Sequence, residues 1–176
     1  MLSRSVFSII NPEEEMISSA DLRKILSMEQ SILEEQTQGL TQADTLKQPQ
    51  PGGNCMNWVL GHLLDNQVLM LETLGGESPV EKSMLSRYSR GSQPVKGEEA
   101  GLLDLVELLE SHAKVNAALL ARLEQLNEED FEREITVYER QTTVGWRVFF
   151  LHFHYTYHIG QLEFLRNLAG KTEKVI

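Results

Sequence analysis

Hydrophobic residues along this chain recur at three- and four-residue steps, the period of an α-helix that buries one face. The clearest run is Leu102, Leu105, Val106, Leu109, Ala113, Asn116, Leu120, Leu123 and Leu126. Within it, Leu102-Val106-Leu109-Ala113-Asn116-Leu120-Leu123 steps by four and three without a break, the spacing of bundle helices crossing at shallow angles. This predicts a helix over 101–126, ended by Asn127-Glu128-Glu129-Asp130. A weaker stripe of Leu22, Ile25, Leu26, Ile32 and Leu33 predicts one over 19–39, closed by Gly39. Its seven-residue steps, such as Leu22 to Glu29, are only partly apolar. Pro49, Pro51, Gly52 and Gly53 then break the chain, and Asn54 offers an N-cap. Val59, Leu63, Met70 and Leu74, widened by Trp58, Leu60, Leu64 and Leu71, predict a helix over 55–74 stopped by Gly75-Gly76. A fourth, over 144–169, starts from Thr142 or Thr143 as cap and ends at Gly170, with Lys171 suited to the helix dipole.

The polar stretch 77–99 is long for a connection in a small domain, so a functional crossover or a mobile loop is expected there. Ile135-Thr136-Val137-Tyr138 gives only a brief extended hint. These elements predict an all-α four-helix bundle with a long crossover loop. Residues 1–18 read as an N-terminal extension, 19–170 as the bundle domain and 171–176 as a tail.

Composition narrows the function classes. At 176 residues the chain supports one core, and 41% hydrophobic with 24% charged residues is globular. Asp plus Glu outnumber Lys plus Arg by 26 to 16, a net charge of −10. Such a surface repels phosphate backbones and anionic lipid, so neither a nucleic-acid nor a membrane partner is expected. The single cysteine, Cys55, excludes an internal disulfide framework and a Cys-rich zinc module. Met1 to Ile10 is only briefly apolar and leads into Asn11-Pro12-Glu13-Glu14-Glu15 where a cleavage site would stand, so no export signal is read. The most apolar segment, 144–169, carries Arg147, His152, His154, His158, Glu163 and Arg166, too many polar groups for a membrane span. A cytoplasmic protein is the expectation.

The chemistry concentrates in the histidines. His154 and His158 lie four residues apart, on one helix face about 40° from each other, so both rings can reach one ion. Tyr155 stands where a zincin helix needs its glutamate, so the metalloprotease base is missing. The face Arg147, Phe150, Leu151, His154, His158, Gln161 and Leu165 reads as the inward side, and His62 lies among Trp58, Val59 and Leu69 on another helix. Three imidazoles aimed at one interior need partners, because an unpaired buried ring is costly. A shared metal supplies them; hydrogen bonds to carboxylates or water are the alternative. His152 is rotated away from the pair, and with His112 is set aside as a non-ligand.

Asn57-Trp58-Val59-Leu60-Gly61-His62-Leu63 and His154-Tyr155-Thr156-Tyr157-His158-Ile159-Gly160-Gln161-Leu162 resemble the helix-two and helix-four signatures of the DinB/YfiT-like family of metalloenzymes. Their order and separation fit too. The resemblance implies a four-helix bundle with frequent dimers and a three-His divalent metal site, with His62, His154 and His158 as ligands. It also implies an enzyme of a kind some of whose members are thiol-dependent transferases or isomerases. Three His ligands leave a coordination position open, the layout of a catalytic site, and imidazole suits zinc, nickel, copper or iron. Affinity is expected to fall as pH drops through the ordinary His range near 6.5.

Around this centre, Gln161 is placed to orient a ligand or substrate, or to bond a neighbouring helix, and Gly160 to allow close helix approach. Asn116 reads as a contact behind the site or as a core polar residue fixing register. Arg147 can bind a substrate carboxylate or be solvated. Asp65 or Asn66 can hydrogen-bond the far nitrogen of His62. Cys55 lies about 10 Å along the helix from His62, too far to share its metal. Its place at a helix start allows a lowered pKa, although an ordinary half-buried cysteine is the plainer reading. The expected activity is a thiol-dependent transfer to a small-molecule substrate, with a low-molecular-weight thiol as nucleophile. A hydrolase using bound hydroxide, and a non-catalytic helical module with structural metal, are the alternatives.

Overall fold

Four long helices frame the fold in the computed structural model, which describes residues 18–175 except Glu98. The expected extension thus lies, up to Ser18, outside the described residues, as does the stretch read for an export signal. Helix α1, Ser19–Thr37, is capped by the Ser18 hydroxyl, which accepts from the Asp21 amide. After the single turn α2, Gln42–Thr45, comes α3, Met56–Thr73. Its N-cap is Cys55 rather than Asn54, and no side chain caps it. Helix α4 spans Leu105–Leu123, and after the short α5, Glu128–Glu132, a hairpin of β1, Glu134–Val137, and β2, Arg140–Thr143, leads into α6, Val144–Leu168. The hairpin is what the extended hint at Ile135 foreshadowed. Tyr138 and Glu139 both adopt positive φ, as its two-residue turn requires. Thr143 ends β2 and caps α6 at the Trp146 amide.

Inter-helix hydrogen bonds fix the directions. α3 runs parallel to α4, since the Asn57 amide donates to the Leu103 carbonyl and Arg122 to the Leu74 carbonyl. It runs antiparallel to α6, where Asn66 donates to the Leu151 carbonyl and His62 meets His154. α1 is parallel to α6, with Thr156 bonded to Glu29 and Arg166 to the Gln36 carbonyl. The order is therefore up, down, down, up, and the parallel α3–α4 step demands the long crossover. That crossover is packed structure: a 3-10 helix, Lys82–Tyr88, lies on α3 and buries Leu85 and Tyr88, with Val95 and Leu103 buried beyond it.

Two readings of the pattern need correction. The predicted 101–126 helix is shorter because Asp104 and Glu107 form a capping box that starts it at Leu105. Its buried face is also rotated to Leu105, Leu108, His112, Val115, Leu119 and Leu123, leaving Val106 62% exposed and Ala113 exposed. Two adjacent stripes satisfied the same spacing, and a histidine marked the true one. On α6 the core face is Val148, Leu151, Tyr155, Ile159 and Leu162, so Phe150 faces solvent and the His154–His158 row lies on the flank. Among the described residues no helix is long and apolar enough to cross a membrane.

Candidate metal centre

α3 is buried on nearly every side, which sets His62 in a solvent-poor seam facing α6. Glycine precedes it for a steric reason: a Cβ at Gly61 would stand 2.2 Å from the Tyr88 ring, so only glycine lets the crossover lie this close. Tyr88 is held at its far end, where its hydroxyl donates to Asn57 Oδ1 at 3.2 Å and accepts from the Leu103 amide at 2.8 Å. Its main-chain carbonyl then meets His62 Nδ1 at 2.9 Å. A carbonyl only accepts, so Nδ1 carries the proton and Nε2 keeps its lone pair. Trp58 stacks on the same ring at 4.7 Å between centroids, its indole N–H anchored on the Ser92 hydroxyl of the crossover.

Across the seam, α6 supplies the other two rings. His158 Nδ1 lies 2.7 Å from Gln161 Oε1, again an acceptor, which leaves its Nε2 bare. His154 Nε2 approaches His62 Nε2 to 3.0 Å. One nitrogen from each of His62, His154 and His158 falls within 4.8 Å of the others. With the His62 lone pair facing His154 Nε2, the pair needs a bridging proton or cation, and three imidazole nitrogens this close suit one divalent ion. Burial favours the neutral form of all three rings: it lowers His62 and His158, and lowers His154 to about 4 with help from the neighbouring rings and the charges of Arg90 and Arg147. Neutral rings are what ligation requires.

The other candidates fall out as follows. Gln161 is at the site, bonded to His158 within its own helix. Arg147 is half-buried over the Phe150 ring, and its charge reaches His154. Asn116 is buried on α4 with its carbonyl oxygen unpartnered, and no hydrogen bond ties it to the three rings. Asn66 bonds α6, so neither it nor Asp65 serves His62; that part belongs to the Tyr88 carbonyl, a backbone group invisible in a side-chain pattern. Cys55 is fully buried, and burial raises its thiol, opposite to the lowering expected at a helix start. A Cβ added at Gly160 would meet no atom within 4 Å, so no other helix of the chain packs closely there. Tyr155, at the position where a zincin carries its glutamate, is sealed in the core. His112 is bonded at both nitrogens, and His152 faces Glu29 at 3.2 Å, apart from the cluster. Missing from the sequence reading were Tyr88 and Arg90, both on the crossover.

Known proteins agree with this architecture. The family model of the DinB superfamily matches residues 25–162. No curated protein sequence matches the chain. Among solved structures, a conserved protein from Enterococcus faecalis has a TM-score of 0.67 at 17% identity, covering 87% of this chain and 98% of its own. A DinB-like protein from Bacillus cereus also scores 0.67 at 17% identity, covering 86% and 92%. YfiT from Bacillus subtilis, described as a "probable metal-dependent hydrolase with an unusual four-helix bundle topology", scores 0.64 at 16% identity, covering 92% and 94%. At these identities the likeness speaks for the fold.

Proposed function

The chain belongs to the DinB superfamily, and on that footing we propose that it is a metal-dependent enzyme acting on a small molecule, with His62, His154 and His158 holding one divalent ion. The observation that carries this is the convergence of three imidazole nitrogens, two of them stripped of protons by acceptors behind their rings. Zinc or nickel suits such ligands, and iron also accepts them. When bound, an ion with neutral ligands keeps its full double charge and acidifies water or a thiol.

The chain's own residues do the rest. The Tyr88 carbonyl and Gln161 hold protons on the far nitrogens, fixing ring orientation. Trp58 covers one face of His62 against water. Arg147 and Arg90 set positive charge beside His154, where a substrate anion or developing negative charge is favoured. Cys55 and Tyr155 are both sealed and offer no nucleophile, so in this reading the attacking group comes from outside.

We put hydrolysis first, supported by the description of the YfiT fold neighbour. Transfer to a low-molecular-weight thiol is the second reading, favoured by one feature: no carboxylate joins the three rings among the described residues. A thiol ionises near neutral pH with less help from a base than water needs. A cytoplasmic setting, where thiols stay reduced, suits either reaction. Untagged protein loaded with zinc or cobalt should hydrolyse activated esters or amides, and His158→Ala should abolish this. A new absorption band when cobalt protein meets small thiols, without hydrolysis, would select the second reading. Metal binding with neither would leave a structural ion.

A further inference from the structure

The metal centre is flanked by positive charge in a chain that is acidic overall. Asp plus Glu exceed Lys plus Arg by 26 to 16. Yet the permanently charged side chains that bear on His62 and His154 are arginines, Arg90 from the crossover and Arg147 from α6. Among the described residues neither guanidinium has a carboxylate partner, and no carboxylate joins the three imidazoles.

The backbone presents Arg90 from a fixed turn. The Ser92 amide donates to the Ser89 carbonyl at 3.0 Å, and Gly91 takes the positive φ, 85°, that the third position of such a turn accepts. Both ends of the turn are tied to α3 at the metal centre. The Tyr88 carbonyl meets His62 Nδ1, and the Ser92 hydroxyl accepts from Trp58, which stacks on His62. Arg90 itself is exposed, so it stands at the rim. Arg147 comes from the other wall of the seam, half-buried over the Phe150 ring at 5.9 Å and against Tyr138.

We propose that Arg90 and Arg147 form a two-armed clamp for a carboxylate, so that this centre takes small molecules carrying a carboxylate beside the reacting group. The inference rests on the metal reading above and adds the substrate class. Its first support is charge balance. An ion with three neutral ligands keeps its double charge, and two unpartnered guanidiniums add to it. The described chain supplies nothing to offset this, so an anion from outside completes the site. Its second support is placement. A donor serving only developing charge has to point at the reacting atoms, whereas an exposed arginine on a fixed turn meets a standing charge on the body of the substrate. The planar guanidinium fork also matches a carboxylate in a way an ammonium does not.

Calorimetric titration of zinc-loaded protein with benzoate and its neutral analogue benzamide tests the clamp. Benzoate should bind about tenfold or more tightly than benzamide. Arg90→Ala and Arg147→Ala should each weaken benzoate about tenfold with zinc stoichiometry unchanged, and Arg90→Lys should recover only part. Lys114→Ala, which removes an exposed cation of α4, should bind benzoate as the native chain does. Two matched pairs then locate the carboxylate. On a hydrolysed substrate, the nitrophenyl half-ester of succinate should be preferred to nitrophenyl butyrate in kcat/KM, a preference that Arg90→Ala cuts about tenfold. On a thiol, mercaptopropionate should change the cobalt spectrum at about tenfold lower concentration than mercaptoethanol, again only with Arg90 in place. Failure to bind zinc would remove the metal reading and leave the clamp testable, because benzoate should still bind the metal-free chain, more weakly and in an Arg90-dependent way. Benzoate held no better than benzamide, or held equally by the native chain and both arginine variants, overturns the clamp.

Discussion

Two buried histidines lie on opposite sides of α3, His112 reaching it from α4 and His62 carried on it toward α6, and they are finished differently. On the α4 side, His112 is enclosed, with Nε2 donating to the Leu60 carbonyl oxygen at 3.0 Å and Nδ1 lying 2.7 Å from the Gln67 side-chain amide, whose NH2 donates to the neutral ring. On the α6 side, His62 has one nitrogen bonded to protein and turns the other toward His154 and His158. Burial is similar, so burial alone does not distinguish a core histidine from a ligand. What distinguishes them is what the second nitrogen meets. At His112 both nitrogens end on amide groups of α3; at the α6 seam His62 and His158 each set one nitrogen against an amide oxygen and turn the other toward neighbouring imidazoles.

The largest test of that contrast is ligand removal. His158→Ala should lower metal affinity about a thousandfold or more, while His112→Ala and His152→Ala leave stoichiometric binding, read by elemental analysis of untagged protein. Equal retention in all three would erase the distinction. Next, His112→Ala should cost about 3 kcal/mol of folding stability in urea titrations, because it opens a cavity and strands Gln67 and the Leu60 carbonyl. His158→Ala in metal-free protein should cost under about 1 kcal/mol, as its ring is only partly buried and its loss removes crowding between neutral rings.

Gly61→Ala should act on both properties, by forcing Tyr88 off α3. A loss of about 2 kcal/mol in stability and tenfold or more in metal affinity is expected, since the carbonyl that orients His62 moves with the ring. Stability loss with unchanged affinity would show that Tyr88 does not orient the ligand. The mildest change, Gln161→Leu, should weaken metal binding about tenfold and leave stability nearly alone.

Acid separates the two regions by mechanism. His112 is lowered to about 4 by burial, so the unfolded chain binds a proton at higher pH than the native one does. Its contribution is complete above pH 6.5 and is lost as pH falls from 6.5 through about 4, with a slope of at most about 1.4 kcal/mol per pH unit. His112→Gln should flatten that slope. At the metal centre the same depression, strongest at His154, keeps the rings available below pH 6.5. Metal should therefore be retained to lower pH than ordinary histidines would allow, read as bound metal against pH.

The sequence carried the bundle because three of its helices are apolar at helical spacing and are bounded by glycine or capping residues. Helix α1 was faint for a physical reason: its buried face includes Glu29, Gln30 and Gln36, polar residues that break the apolar stripe, with Glu29 bonded to Thr156 of α6 and Gln30 to Glu34 of its own helix. The face of α4 was misread because His112 counted as polar although two partners make it a core residue. His154 and His158 were legible from spacing, and His62 from its surroundings. Tyr88 was not, since its contribution is a carbonyl delivered by a loop whose path depends on Gly61.

The most direct test of the account is anomalous diffraction from crystals of untagged, zinc-loaded protein. It predicts one strong peak between α3 and α6, ligated through Nε2 of His62, His154 and His158, with Tyr88 and Gln161 still bonded to the far nitrogens and no density at His112. No ion between the three rings at saturating zinc, or an ion held through the nitrogens that face Tyr88 and Gln161, would contradict it.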